Sequence, residues 1–334
     1  MIKAVIIGLG GVAQLHRYAY WYLNRNGFPV ELVAAYNRDP SKFDTVTKIN
    51  LPLGEIHDEK PFGRYTDINE MLEKEKPDLV DICQPTFLHR ATATDMLRRG
   101  YNVLCEKPMA LSYADCLDML EASRASGASL MIGHCLRFSP VYIYLRDVIR
   151  NNTYGRIVSS KFCRFSPPPF WSKDNWQGDV KRSGGCIHDL SIHDLDFVRW
   201  AMGEPEEVSC TISNRVVEAD SSVSKLYYDG HCAEVIADWS DADCVFNALY
   251  DVEFENARIV MHNNKVTLYQ NGVSAEVKLE EYESVIGEIQ YYTGLLENGG
   301  ENTECPPESS AKTILLIEKL KESSEKGIRV KFDE

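Results

Sequence analysis

The sequence of 334 residues has no apolar run approaching the ~20 residues that a membrane-spanning helix needs. Positive charge is in short supply. There are 36 Lys and Arg against 50 Asp and Glu, a formal net charge of −14, and the basic residues are scattered. This argues against a nucleic-acid partner or an anionic membrane surface. None of the ten cysteines forms a C-x-x-C pair, so neither structural zinc nor a thioredoxin-type motif is supported. Most cysteines are expected to be small buried residues in a reducing cytoplasm. No metal-ligand spacing appears: His188 and His193 are five apart, wrong for one helical face, and no metal is expected. No internal repeat or low-complexity tract is visible. The opening stretch MIKAVIIGLGG has one Lys and no small-residue cleavage site, so it reads as a first strand and not as a signal peptide.

What is present is ample apolar content, 44% of residues, in a length that suggests two domains. Ile2–Ile7 is a short apolar run that leads into Gly8-Leu9-Gly10-Gly11-Val12-Ala13, and a helical pattern follows. In this G-x-G-x-x-A arrangement Gly8 allows a tight turn and Gly10 lets the backbone approach a pyrophosphate. Ala13 lets helix and strand pack closely. The start of the helix, at Gly11 and Val12, then offers free N–H groups to the phosphates. A second strand over Glu31–Tyr36 ends in Asn37-Arg38. An acidic residue at that place would hold the ribose 2′-hydroxyl of NAD. Asn37 carries no charge to repel a 2′-phosphate and Arg38 can pair with one, which favours NADP over NAD. An Arg38 that merely stacks on the adenine would suit either cofactor.

Strands and helices go on alternating. A helix is expected near Asp67–Glu75 and a strand at Leu79–Gln84. Thr86 then caps a helix that runs through Arg99. A strand at Tyr101–Cys105 is followed by a helix capped by Ser112 and ended by Gly127, and by a strand at Ser129–Gly133. Repeated units of this length make a doubly wound parallel α/β sheet, which binds ligands at the C-terminal ends of its strands. Two segments fall at those ends: Gln84-Pro85-Thr86-Phe87-Leu88-His89 and Cys105-Glu106-Lys107-Pro108. They place Pro85, His89, Glu106 and Lys107 beside the cofactor. An ammonium at Lys107 can hold a substrate hydroxyl and favour its ionised form. Cys105 is read as packing.

The later stretch Gly184–Asp196, GGCIHDLSIHDLD, predicts one helix from about Gly185 to Met202, closed by Gly203. Asp189 and His193 are four apart and would share a face. A carboxylate beside an imidazole can position a hydroxyl and move its proton. His188 is expected to extend the site. Just ahead, Ser166–Gly178 holds Pro167-Pro168-Pro169, Trp171 and Trp176, a loop whose aromatics suit walling a sugar ring or packing on themselves. A strand is expected at Arg156–Phe165. Five to seven antiparallel strands are expected over Glu206–Leu279, with Asp229-Gly230, Asn263-Asn264 and Asn271-Gly272 as hairpin turns. Helices near Glu281–Glu297 and Glu308–Lys326 and a strand at Ile328–Phe332 complete the chain. The domains are read as 1–133, a dinucleotide-binding Rossmann domain, and 134–334, an α+β substrate and oligomerisation domain with a large open sheet. The last helix is left free to pack back on the first.

Taken together, Gly8–Ala13, Pro85-Thr86-x-x-His89, Glu106-Lys107-Pro108, Gly133–Pro140 and Gly184–Asp196 resemble the Gfo/Idh/MocA family of NAD(P)-dependent oxidoreductases in order and separation. The resemblance implies that Lys107 touches both substrate and nicotinamide, that His193 accepts the proton and that Asp189 is the partner carboxylate. It also implies a cis peptide before Pro108 and oligomers built on the open sheet face. Arg137 and Phe138 keep the pattern of their segment, and Arg137 is expected at the substrate. Cys135 and Leu136 depart from it, and Ser191 stands where Gly is usual. The implied activity is hydride transfer between nicotinamide and a carbinol carbon of a sugar, cyclitol or similar polyol. Two alternatives are transient oxidation within a glycoside hydrolase or lyase cycle, and a non-catalytic NAD(P)-sensing protein.

Overall fold

In the computed structural model, which describes residues 1–45 and 61–333, strand alternates with helix from the first residues. The order is β1 (Ile2–Ile7), α1 (Gly11–Arg25), β2 (Val30–Tyr36), β3 (Gly63–Tyr65), α2 (Ile68–Glu75) and β4 (Leu79–Ile82). It continues with α3 (Thr86–Arg98), β5 (Asn102–Glu106), α4 (Tyr113–Ser126) and β6 (Leu130–Gly133). All six strands run parallel in the order β3-β2-β1-β4-β5-β6. Parallel sheets are covered on both faces, so their strands are apolar throughout. Val5, Ile6 and Ile7 are each 0% exposed, and burial of such a side chain contributes about 1.5–3 kcal/mol. The strand order reverses between β1 and β4, the place where folds of this kind open a crevice for ligands.

Local chemistry sets the helix ends. Asp67 accepts from Glu70 N at 3.0 Å to start α2, and Ser112 accepts from Asp115 N at 3.1 Å to start α4. Gly127 ends α4 in the left-handed region at φ +73°. Thr86, expected as a cap, is instead the first residue of α3, and Pro85 holds the cap position with extended backbone.

The second half begins with α5 (Pro140–Arg150), β7 (Ile157–Phe165), and the short helices α6 (Val180–Ser183) and α7 (Cys186–Asp189). After them come α8 (Ile192–Met202), β8 (Glu207–Ser213), β9 (Ser221–Tyr228), β10 (His231–Asp238) and β11 (Asn247–Phe254). The run ends with β12 (Arg258–His262), β13 (Lys265–Gln270) and β14 (Val273–Val277). Then follow α9 (Ser284–Asn298), α10 (Pro307–Lys326) and β15 (Val330–Lys331). Nine strands form the second sheet, ordered β14-β13-β12-β11-β7-β10-β9-β8-β15. β7 and β10 are parallel and the other pairs antiparallel. Residues Glu206–Leu279 supply seven of these strands, and β7 and β15 bring the sheet to nine. The Asn271-Gly272 turn has positive φ at both residues, +52° and +76°, as a tight right-twisted hairpin requires.

The contacts divide the chain into two units. Met1–Cys135 groups with Glu283–Ala311, and Leu136–Tyr282 groups with Lys312–Glu334. In the first unit α9 packs on α1, β1 and β6. In the second, α7 and α8 lie against β7, β9 and β10, with Trp239 buried beside Cys186, Leu190 and Ala237.

The single helix expected over 185–202 is broken. Ser191 N reaches back five residues to Cys186 O at 2.9 Å, and Asp194 N and Leu195 N then both bond to Ser191 O. This wider turn separates α7, which ends on Asp189, from α8, whose second residue is His193. No described helix is long and apolar enough to cross a membrane.

Candidate active site

In the first unit the glycine loop joins β1 to α1. Gly8 lies at φ +99°, and a Cβ there would sit 2.9 Å from Cys83 O, so strand packing demands glycine. Gly10 is different. Among the described residues a Cβ on it would meet only Cys83 O, at 3.9 Å, which leaves room for a ligand's approach. Gly10 is also the N-cap of α1 and supplies no side-chain cap, and the first turn holds no acidic residue. The N–H groups at Gly11, Val12 and Ala13 therefore begin a 15-residue helix without a local anion, which suits a pyrophosphate. Ala13 is 1% exposed, where close packing requires a small side chain. These residues fit a dinucleotide. At the end of β2, Asn37 Oδ1 accepts from Asp39 N at 2.9 Å, and Arg38 is exposed.

The segments after β4 and β5 are tied together by His89. Its Nδ1 lies 2.7 Å from Pro108 O and its Nε2 2.7 Å from Gln84 O, with the ring 1% exposed. Burial lowers the His89 pKa, opposed by the two carbonyls. Both nitrogens face backbone carbonyls, and the one N–H of the neutral ring donates to one of them, so His89 braces the two segments and is turned away from a cofactor. The Lys107–Pro108 peptide is cis. Lys107 itself is half-buried at the end of β5.

Glu106, expected at the cofactor, points inward. Its Oε2 accepts the Lys107 backbone N–H at 3.0 Å and its Oε1 lies 2.9 Å from His16 Nε2. His16 Nδ1 is 2.8 Å from Asp81 Oδ2, which also accepts from Tyr20 Oη at 3.0 Å. Both acceptors are carboxylates, so both ring nitrogens donate and His16 is an imidazolium. Burial disfavours that charge most, but the charge and hydrogen bond of Asp81, together with Cys83, raise the His16 pKa well above its ordinary value. For Glu106, burial pushes upward, but the His16 bond and charge, with Lys107, bring it below the usual glutamate value. Burial pushes the Cys105 thiol well up, as suits a packed cysteine and not a nucleophile.

In the second unit the two glycines ahead of α7 are needed for contact. A Cβ on Gly184 (φ +82°) would fall 2.5 Å from His188 Cβ, and one on Gly185 (φ +79°) 2.7 Å from Ala219 Cβ. His188 is 0% exposed and packs over Gly184, so it does not extend the site to a substrate. Asp189, 9% exposed, ends α7, and its Oδ2 accepts from Gln177 Nε2 at 3.2 Å. His193 is half-buried at the start of α8. Trp176 is half-buried on the loop that also carries Gln177. Arg137 departs from expectation. It is 1% exposed and forks onto Asp196 at 2.8 and 2.7 Å, beneath Trp200. Its charge is spent inside the fold, which leaves it bracing α8 and not facing a substrate.

Sequence reading missed four residues. Asp81 stands in a strand that is otherwise apolar, which is a signal in itself. His16 falls on the buried stripe of α1 with Ala13, Ala19 and Leu23. Gln177 and the fully buried Glu288 on α9 carry no local signal.

Residues 2–134 match a family model described as an oxidoreductase family with an NAD-binding Rossmann fold, and residues 142–281 match a GFO/IDH/MocA C-terminal domain. Among curated relatives, a 2,7-anhydro-N-acetylneuraminate hydratase of Mediterraneibacter gnavus is 31% identical over 150 residues, 45% of this chain and 40% of that protein. A myo-inositol 2-dehydrogenase of Thermotoga maritima is 29% identical over 163 residues, 48% of this chain and 46% of that protein. The matches thus span under half the length of these relatives. An oxidoreductase from Agrobacterium radiobacter, solved with NAD+, L-tartaric acid and magnesium, shares the fold. Its TM-score is 0.81 at 20% identity, over 99% of this chain and 98% of that one.

Proposed function

We propose, for a chain that belongs to the Gfo/Idh/MocA oxidoreductase family, that it is an NAD(P)-dependent dehydrogenase or reductase. It acts on a CH–OH group of a sugar, cyclitol or similar polyol. The observation that carries this reading is the α1 N-terminus, open at Gly10 and free of side-chain caps, at the point where the strand order reverses. The name of the myo-inositol dehydrogenase relative supports the substrate class.

Gly8–Ala13 hold the pyrophosphate, and bound NAD(P) supplies the hydride acceptor or donor. Lys107 holds and polarises the reacting oxygen. His193 takes its proton as general base, and Asp189, tied to Gln177, orients a neighbouring hydroxyl. Glu106 acts from behind by anchoring the Lys107 N–H. Within this class the cofactor is NADP, because Asn37 is uncharged and the exposed Arg38 can pair with a 2′-phosphate.

Titration of NADP(H) against NAD(H), followed by a polyol and sugar panel read at the nicotinamide absorbance, tests the reading. Failure to bind either nucleotide would overturn it.

A second reading is favoured by the hydratase relative: transient oxidation with no net redox change. Cofactor that co-purifies, and turnover without any net absorbance change, would select it.

The protein is further taken to be a cytoplasmic homo-oligomer, with its ten cysteines reduced. The sheet face that bears Val223, Ile236 and Leu249 in adjacent register around Cys163 is apolar at its centre. Lys161 and Lys225 flank it, both paired with Glu234. Val223 is 39% exposed, and a face of this kind suits a second copy. Val223→Lys should turn an oligomer into a monomer by sedimentation; no change would remove the sheet face from consideration.

A further inference from the structure

Glu288 is the least explained polar side chain in the first unit. It sits on α9 with 0% exposure, and neither carboxyl oxygen has a hydrogen-bond partner among the described residues. An unpartnered buried carboxylate is among the costliest groups a fold can hold. Yet its position is built with some care. Gly133 at the end of β6 makes the room: a Cβ there would lie 3.2 Å from Glu288 Oε1 and 3.5 Å from Glu106 Cα. Glu288, Glu106 and His16 each bring one polar atom within 4.8 Å of the others. A separation of up to that length is within what a single water can span with two hydrogen bonds.

We infer that Glu288 is held as a neutral carboxylic acid that donates through one water to Glu106, and that it thereby positions the Glu106–Lys107 turn. The inference rests on Lys107 having the role proposed above. The groups that face Glu288 decide its state. From α1 come His16 and Tyr20, from β4 Asp81 and from β5 Glu106, while β1 and β6 present no titratable group there. His16 balances one of the two carboxylates, Asp81 and Glu106. A third negative charge would stand beside Glu106, whose own charge His16 and Lys107 already serve to offset. Burial first, then the Glu106 charge, raises the Glu288 pKa well above its ordinary value. The Glu288 acid needs an acceptor, Glu106 is ionised, and Glu106 holds the N–H of Lys107. A metal at this place is disfavoured because both His16 nitrogens are already engaged by carboxylates.

The test has two arms. The first needs no substrate. A carboxyl that is neutral only in the folded state makes stability fall as pH rises from the ordinary glutamate value toward the raised folded one. Glu288→Gln removes that loss, so its denaturation midpoint should exceed that of the parent at pH 8 and the gap should close near pH 4.5. A Gln variant that is equally or less stable at pH 8, or stoichiometric zinc in the purified parent, would overturn the neutral acid. The second arm reads positioning. Glu288→Gln should keep kcat and its pH profile, whereas Glu288→Leu should lower kcat roughly tenfold to a hundredfold with cofactor Kd unchanged. If the Leu variant folds, binds cofactor and turns over normally, the positioning role is wrong. Should the Leu variant fail to fold, an altered kcat or pH profile in the Gln variant overturns it instead. Because the stability arm is independent of turnover, its failure is distinct from failure of the proposed activity.

Discussion

Arg137 and Asp196 lock together through two hydrogen bonds, 2.8 and 2.7 Å, with each side chain 1% exposed. Thr313 on α10 adds a bond of 2.9 Å to the same carboxylate. A buried pair of this kind costs much to break, because the surviving charge has no water to turn to. Arg137→Leu is therefore expected to lose about 3–5 kcal/mol of stability, measured by urea denaturation. An Arg137 variant with a raised KM and unchanged stability would restore the residue to the substrate.

His193→Ala and Lys107→Ala should each cut turnover, by about 10²–10⁴ for the base and about 10²–10³ for the oxygen-binding ammonium. NAD(P) binding, measured by nucleotide titration, should persist in the His193 variant. If both residues serve one proton-transfer step, the double variant should lose little more than the worse single one. Strictly multiplicative losses would mean separate roles.

Arg38→Ala should weaken NADP+ by roughly tenfold to a hundredfold, the worth of about 1.5–3 kcal/mol in a charge-assisted hydrogen bond, and leave NAD+ nearly unchanged. Equal weakening of both nucleotides would show that Arg38 stacks on the adenine instead.

The pH dependence of stability carries the signature of His16. Its folded pKa is raised by Asp81, so the imidazolium pair contributes fully below the ordinary histidine value, and that contribution is lost as pH climbs through the raised folded value. The stability gap between the parent and His16→Gln should therefore be widest near pH 6 and shrink toward pH 10. A gap that grows with pH would mean that the ring is buried neutral.

Gly184→Ala forces a Cβ to within 2.5 Å of His188 Cβ at φ +82°, with an expected cost of about 1–3 kcal/mol. Pairing it with His188→Gly should recover part of that loss, because the Cβ–Cβ clash, though not the backbone strain, is relieved. Thermal denaturation of the two single variants and the double variant checks this.

What the sequence alone determined is what neighbours along the chain decide. The alternation of apolar strands with helices, the Ser112 cap, the Gly127 stop and the Asn271-Gly272 hairpin all follow from backbone conformations open to a few adjacent residues. The glycine loop was legible for the same reason: turn, close approach and helix start lie within six residues. The roles proposed for Lys107, Asp189 and His193 likewise come from short motifs.

Only the tertiary structure decided where charge goes when it is buried. Arg137, His188 and Glu106 look in sequence like residues free to meet a ligand. They turn inward because Asp196 and His16, far along the chain, and Gly184, one helical turn away, are already waiting there. The break at Ser191 likewise depends on one backbone bond to Cys186 that no local preference demands. Glu288 lies 182 residues from Glu106 along the chain. Nothing within a helical turn of it reports the carboxylate it faces, because that meeting is made by α9 packing on β6 and α1.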